Sequence, residues 1–100
     1  MAKKNMIQRD KKRSFLALKY EEKRLRLKNE LKRANTYDSK FEIYNLIQKL
    51  PRDSSPIRQR NRCWATGRSR SFYRAFGLSR HVLRELAHEG FIPGLRKASW

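Results

Sequence analysis

Apolar positions recur at helical spacing in three stretches of the chain. Residues 3–33 contain neither proline nor glycine. Within them Leu16, Tyr20, Leu27 and Leu31 share one face, flanked by Phe15, Leu18 and Leu25. That pattern predicts one long helix with a narrow apolar stripe and a charged remainder. Further on, Ile43, Leu46, Ile47 and Leu50 fall at i, i+3, i+4 and i+7, and Ser39 with Glu42 has capping-box spacing. Pro51, lacking an N–H, ends this second helix. Its apolar face, with that of the first helix, is expected to provide most of the chain's own packing. A third helix is predicted from a Ser79 cap to about Glu89, burying Val82, Leu83, Leu86 and Ala87 and closing at Gly90.

Between the second and third helices the period disappears. Residues 51–70 have no helical spacing, and the alternation of Arg58, Arg60 and Arg62 would set three guanidinium groups on one side of an extended chain. All four glycines (67, 77, 90 and 94) lie in the last third, which should be rich in turns. The fold expected is mainly α with irregular extended segments. A basic helical arm and central helix occupy residues 1–50, and an extended linker covers 51–62. A compact, ribbon-like Arg/aromatic module ending in a helix takes 63–100. No internal repeat is present.

Charge changes this picture more than composition does. The 100 residues carry 26 Lys and Arg against 9 Asp and Glu, a formal net charge of +17. A small domain with that imbalance repels itself, and the remedy is a polyanion: RNA, DNA and acidic membrane all qualify. With 38% hydrophobic residues, the core is expected to be modest and much of the order to come from the partner. Residues 1–33 hold 8 Lys and 5 Arg against 4 acids, whereas 34–57 are neutral. Residues 58–100 hold 10 basic and 2 acidic residues, and every basic residue from 58 to 96 is arginine. Lysine is a flexible point charge suited to general attraction. Arginine's planar fork grips a phosphate bidentately or stacks on a base, so the second flank is the expected seat of defined contacts.

Other function classes find little support. A single cysteine, Cys63, excludes an internal disulfide and suits a reducing compartment. No apolar run approaches the roughly 20 residues of a membrane span. The Lys-rich start, poor in serine and interrupted by Asp10, Glu21 and Glu22, reads neither as a signal nor as a transit peptide. Cys63 with His81 and His88 downstream does not make a nucleophilic site by composition, and His81, Glu85 and His88 share a helix face without zinc-signature spacing. No glycine-rich phosphate loop or carboxylate pair is present. The chain therefore reads as non-enzymatic.

The strongest constellation is Arg68-Ser-Arg-Ser-Phe-Tyr-Arg-Ala-Phe76, followed by Arg80 and Arg84. Interleaved arginines and aromatics neutralise phosphates while offering flat surfaces to unstacked bases. The bland alternative is a solvated basic loop with Phe72 and Phe76 turned inward; a mixture is expected, with the phenylalanines packed and Tyr73 and the arginines outward. A basic DNA- or RNA-binding regulatory protein is the rival reading. A membrane-surface helix over 3–33 is a weaker one, because the stripe is narrow and the second basic flank would go unexplained.

The run Arg60-Asn-Arg-Cys-Trp-Ala-Thr-Gly-Arg-Ser-Arg-Ser-Phe-Tyr-Arg-Ala-Phe-Gly-Leu-Ser-Arg80 resembles the S-fourteen family of small-subunit ribosomal proteins. The similarity continues through Leu83-Arg-Glu-Leu-Ala, Ile92-Pro-Gly and Lys97-Ala-Ser-Trp100, and upstream through Leu50-Pro-Arg-Asp-Ser-Ser-Pro56 to the opening Met-Ala-Lys-Lys. It covers essentially the whole chain and is nearest the longer bacterial and plastid form. The resemblance implies a structural place in the head of the small subunit, on 16S-type ribosomal RNA near the tRNA-binding decoding region. Neighbours there would be small-subunit proteins three, ten and nineteen, with no membrane and no homo-oligomer. On that reading Lys3, Lys4, Arg9, Lys11, Lys12 and Arg13 follow RNA grooves. Arg58, Arg60, Arg62, Arg68, Arg70, Arg74, Arg80 and Arg84 clamp phosphates or stack, Tyr73 is the exposed aromatic, and Lys97 and Trp100 dock the terminus. Some members hold zinc on a Cys-x₂-Cys-x₁₂-Cys-x₂-Cys framework, where this sequence has Cys63, Thr66, Ser79 and Val82. No zinc is therefore expected, and packing of Trp64, Phe72, Phe76, Val82 and Leu83, with RNA, would hold the module. A plastid ribosome is the favoured setting, the bacterial cytoplasm the alternative.

Overall fold

The computed structural model describes residues 2–99. Helix α1 (Lys4–Arg33) is followed by α2 (Tyr37–Gln48), two 3-10 turns (Arg52–Ser54 and Pro56–Arg58), the strands β1 (Phe72–Tyr73) and β2 (Leu78–Ser79), and α3 (Arg80–His88). The chain forms two compact units, one of residues 8–59 and one of residues 2–7 with 60–99.

In the 8–59 unit the stripe on α1 lies where the period predicts. Ala17 and Leu27 are buried, Leu16, Tyr20 and Leu31 half-buried, and Phe15, Leu18 and Leu25 exposed. Two arginines interrupt that stripe and bind the segment after α2. The Arg24 Nη2 donates to Ser54 Oγ at 2.8 Å, and fully buried Ser54 donates in turn to the Pro51 carbonyl at 2.5 Å. Arg13 Nε donates to Asp53 Oδ1 at 3.3 Å, and Arg58 Nη1 reaches the same oxygen at 2.8 Å. These polar contacts corrected the first part of the expected extended chain over 51–62: Pro51, at φ −53°, and Pro56, in the first helical positions of its turn, pre-set two 3-10 turns, and from an extended Gln59 the chain runs to Arg62 without a regular element. Ser54→Ala should cost about 1–3 kcal/mol, because it strands a guanidinium whose Nε is already sealed without an acceptor; denaturant unfolding of the full chain measures it.

The second helix departs from expectation at its start and on its face. Thr36, not Ser39, holds the N-cap position, in an extended conformation, and its hydroxyl meets that of Ser39 at 2.7 Å. Ser39 instead bonds back to the Thr36 carbonyl, so no capping box with Glu42 is needed to start the helix. Leu50 is buried just past α2, whereas Ile43 and Ile47 are half-buried and Leu46 is exposed. Tyr37, Phe41 and Tyr44, at i, i+4 and i+7, are exposed as well. The apolar spacing thus marks the helix, but its face is not a self-contained core.

The other unit is organised by a turn and a hairpin. Gly67 donates to the Cys63 carbonyl at 2.8 Å, and Cys63 donates to the Arg68 carbonyl at 2.9 Å. β1 and β2 pair antiparallel, Phe72 opposite Ser79 and Tyr73 opposite Leu78. Ser79 occupies the N-cap position of α3 but its hydroxyl makes no cap bond and is buried without a partner. The carbonyl of Ser71 accepts the Arg80 N–H at 2.9 Å instead. At the far end Gly90 donates to Ala87 and Phe91 to Leu86, the paired bonds of a Schellman cap, with Gly90 at φ +77°. Cys63 and Leu78 are buried, and Phe72, Val82, Leu83, Leu86 and Ala87 half-buried. Trp64 and Phe76, expected to pack, are exposed, Trp64 by 75%. The hairpin spends its small interior on Cys63 and Leu78, and the bond from Trp64 N–H to the Gly77 carbonyl fixes only the backbone.

Candidate nucleic-acid interface

The basic side chains separate into those exposed to solvent and those partly buried in the fold. Lys3, Lys4, Arg9, Lys11 and Lys12 are exposed on and just before the first turns of α1. Arg13 is half-buried between Asp10 and Asp53, and Arg58 is held by Asp53. In the arginine-rich flank, Arg60, Arg70, Arg74, Arg80 and Arg84 are exposed, with Tyr73 among them. Arg74 sits in the hairpin turn, while Arg80 and Arg84 lie one helical turn apart on α3.

Arg62 and Arg68 turn partly inward. The Arg62 Nη1 donates to the Gly67 carbonyl at 3.0 Å, and Arg68 is half-buried with its Nε sealed from solvent. Arg58, Arg60 and Arg62 therefore do not form one row. Lys97 is exposed in the segment after α3, and Trp100 lies outside the described residues. Tyr73, Arg80, Arg84 and Lys97 line a common groove. Trp64, His81, His88 and Arg96 were missed as contact candidates.

Cys63 shows how the turn is held. It is 2% exposed, and burial, the largest single influence on its thiol, raises the pKa. Hydrogen bonds from the Thr66 hydroxyl and from the backbone N–H groups of Ser79, Thr66 and Ala65 together outweigh this and lower it from 9.0 to about 6. Cys63, Thr66 and Ser79 thus meet around one sulfur, while Val82 brings only an alkyl group. One thiolate with a threonine, a serine and a valine in the other three places does not supply the Cys and His donors of a structural tetrahedral zinc. Among the described residues, no three His, Cys, Asp or Glu side chains gather as a metal site. No helix there is long and apolar enough to cross a membrane.

Residues 46–99 match the family described as ribosomal protein S14p/S29e. Over the full length of both chains, the sequence is 65% identical to the small ribosomal subunit protein uS14c of Emiliania huxleyi and 58% identical to that of Guillardia theta. It is 59% identical, again end to end, to the small ribosomal subunit protein uS14 of the cyanobacterium Gloeothece citriformis (strain PCC 7424).

Proposed function

Since the chain belongs to the ribosomal protein S14p/S29e family, we propose that it sits in the head of the small ribosomal subunit, binding 16S-type ribosomal RNA and supporting head assembly and the decoding and tRNA-binding region. It is a structural constituent of the small subunit and an rRNA-binding protein of translation. The plastid ribosome is its setting, with the bacterial cytoplasm as the alternative. Small-subunit proteins three, ten and nineteen are its neighbours, it forms no homo-oligomer, and it catalyses nothing.

The observation that carries this reading is the mismatch between charge and core. Five hydrophobic residues are buried among those described, fourteen large ones are exposed, and the net charge is +17. Such a chain repels itself and has little interior to resist, so RNA supplies the missing counter-charge and completes the order. Co-sedimentation with small subunits that survives moderate salt and is lost after RNase is the expected result. Migration with DNA or membrane would overturn the reading.

Not every cation contributes alike. Arg74→Glu reverses a charge in the hairpin turn of the arginine-rich unit, whereas Lys23→Glu reverses one on an exposed face of α1. Incorporation into small subunits should fall more for Arg74→Glu, and equal incorporation of the two would sink that ranking.

The module is zinc-free on the same proposal, for Cys63 offers one thiolate while Thr66, Ser79 and Val82 offer no further Cys or His ligand. Chelator-washed protein should hold far less than one equivalent of zinc, and a stoichiometric content would refute this.

A further inference from the structure

Beside α3 lies a groove of about 570 Å³, within the roughly 300–1,000 Å³ typical of small-ligand clefts. One wall is the helix itself: Arg80, Arg84 and Ala87 follow one another at i, i+4 and i+7, and His81 and His88 border them. The opposite wall is the chain returning after the turns at Gly90 and Gly94, both at positive φ, which sets Leu95, Arg96 and Lys97 alongside. Tyr73 and Phe76, from the hairpin, complete the lining and are 50% and 40% exposed. The two acids of this third of the chain, Glu85 and Glu89, do not line it.

Two aromatic rings and four permanent cations around one cleft, without a carboxylate among the described residues, define the chemistry of what fits. A stacked duplex cannot reach the rings, because its own bases cover its flat faces. A lone phosphate would satisfy the cations and leave the rings bare. An unstacked nucleotide meets both demands. We propose that this groove receives one unstacked nucleotide of RNA, its base against Tyr73 and Phe76 and its flanking phosphates between Arg80 and Arg84 on one wall and Arg96 and Lys97 on the other. This rests on the reading of the chain as an rRNA-binding protein and specifies what one of its sites holds. An acidic peptide from a neighbouring protein is the competing occupant. The aromatic lining disfavours it, since carboxylates engage the walls alone.

Ultraviolet crosslinking of intact small subunits carrying the full chain tests this without any substitution. A single nucleotide should be found joined to Tyr73, Phe76 or one of the two histidines. In subunits assembled with Tyr73→Ala, the same nucleotide should become about tenfold more reactive to chemical probing, the size expected for one lost base–aromatic contact. Three results overturn the proposal: crosslinks from the groove to protein only, RNA crosslinks confined to other parts of the chain, or an adduct whose nucleotide is unchanged in Tyr73→Ala. Crosslinks to RNA elsewhere would leave the rRNA-binding reading standing while the groove fails. Absence of RNA adducts along the whole chain, together with loss of co-sedimentation, would end both.

Discussion

Gly67→Ala is expected to destabilise the unit of residues 2–7 and 60–99 by about 2–4 kcal/mol, several times the cost of Gly77→Ala. Both glycines have positive φ, +73° and +67°, and each would charge an L-residue about 1 kcal/mol for that conformation. Their surroundings differ. A Cβ at Gly67 would stand 2.6 Å from Ile7 Cδ1 and 3.0 Å from Ile7 Cγ1, whereas one at Gly77 meets its first neighbour, in Trp64, at 3.6 Å. Overpacking of that kind adds about 1–3 kcal/mol: Ile7 Cδ1 can swing about χ2, but Cγ1 moves only with the stiff χ1 of a β-branched residue. Gly67 is also tied by its own N–H to Cys63 and by its carbonyl to Arg62. Neighbouring Thr66 accepts the Ala2 N–H at 3.3 Å, so displacement of Ile7 would pull on the N-terminal segment. Amide exchange at Cys63 and Gly67, in the free chain and in assembled subunits, measures the effect. Ile7→Ala should recover most of the loss caused by Gly67→Ala, and strict additivity of the two substitutions would refute the steric account.

The same turn shows what sequence could and could not reveal. Helix positions were legible because spacing and punctuation agree: a run free of proline and glycine carries α1, and Pro51 after α2 and Gly90 after α3 fall where those helices stop. The apolar stripe of α1 was legible too, but not the two arginines embedded in it. Their partners, Asp53 and Ser54, lie 40 and 30 residues away in sequence, a distance at which periodicity carries no information. Trp64 misled because large aromatics usually enter cores; in a unit this small the buried places go to Cys63 and Leu78. Among the site residues, exposure of Arg60, Arg70, Arg74, Arg80 and Arg84 followed from composition, whereas the inward turns of Arg58 and Arg62 depend on acceptors that folding brings near, and Arg68 is half-buried with its Nε unpartnered. The groove was hidden for the same reason: its second wall, with Arg96, exists because two glycine turns return the chain to α3.

Stability of the arginine-rich unit should rise as pH increases from 6 to 9, and Cys63→Ser should abolish that rise. The folded thiol ionises near pH 6, against an ordinary value of 9.0. Below pH 6 it is protonated in both folded and unfolded chains and contributes nothing. Between 6 and 9 the folded chain holds the thiolate while the unfolded chain still binds the proton, so the contribution grows with pH and is complete above 9. At 1.36 kcal/mol for each tenfold change in proton affinity, its ceiling is about 4 kcal/mol. Serine can accept the same hydrogen bonds but does not ionise in this range, and the two proteins are otherwise identical; the difference between the two stability–pH curves therefore isolates Cys63. Parallel curves would refute a buried thiolate. Its reactivity should not betray its charge: with 2% exposure, alkylation at pH 7.5 (a pH of about neutral, chosen above the folded and below the unfolded value) must wait for the turn to open. The labelling rate then reports that opening, and assembly into the subunit should slow it, because a partner that binds only the folded unit favours the closed form.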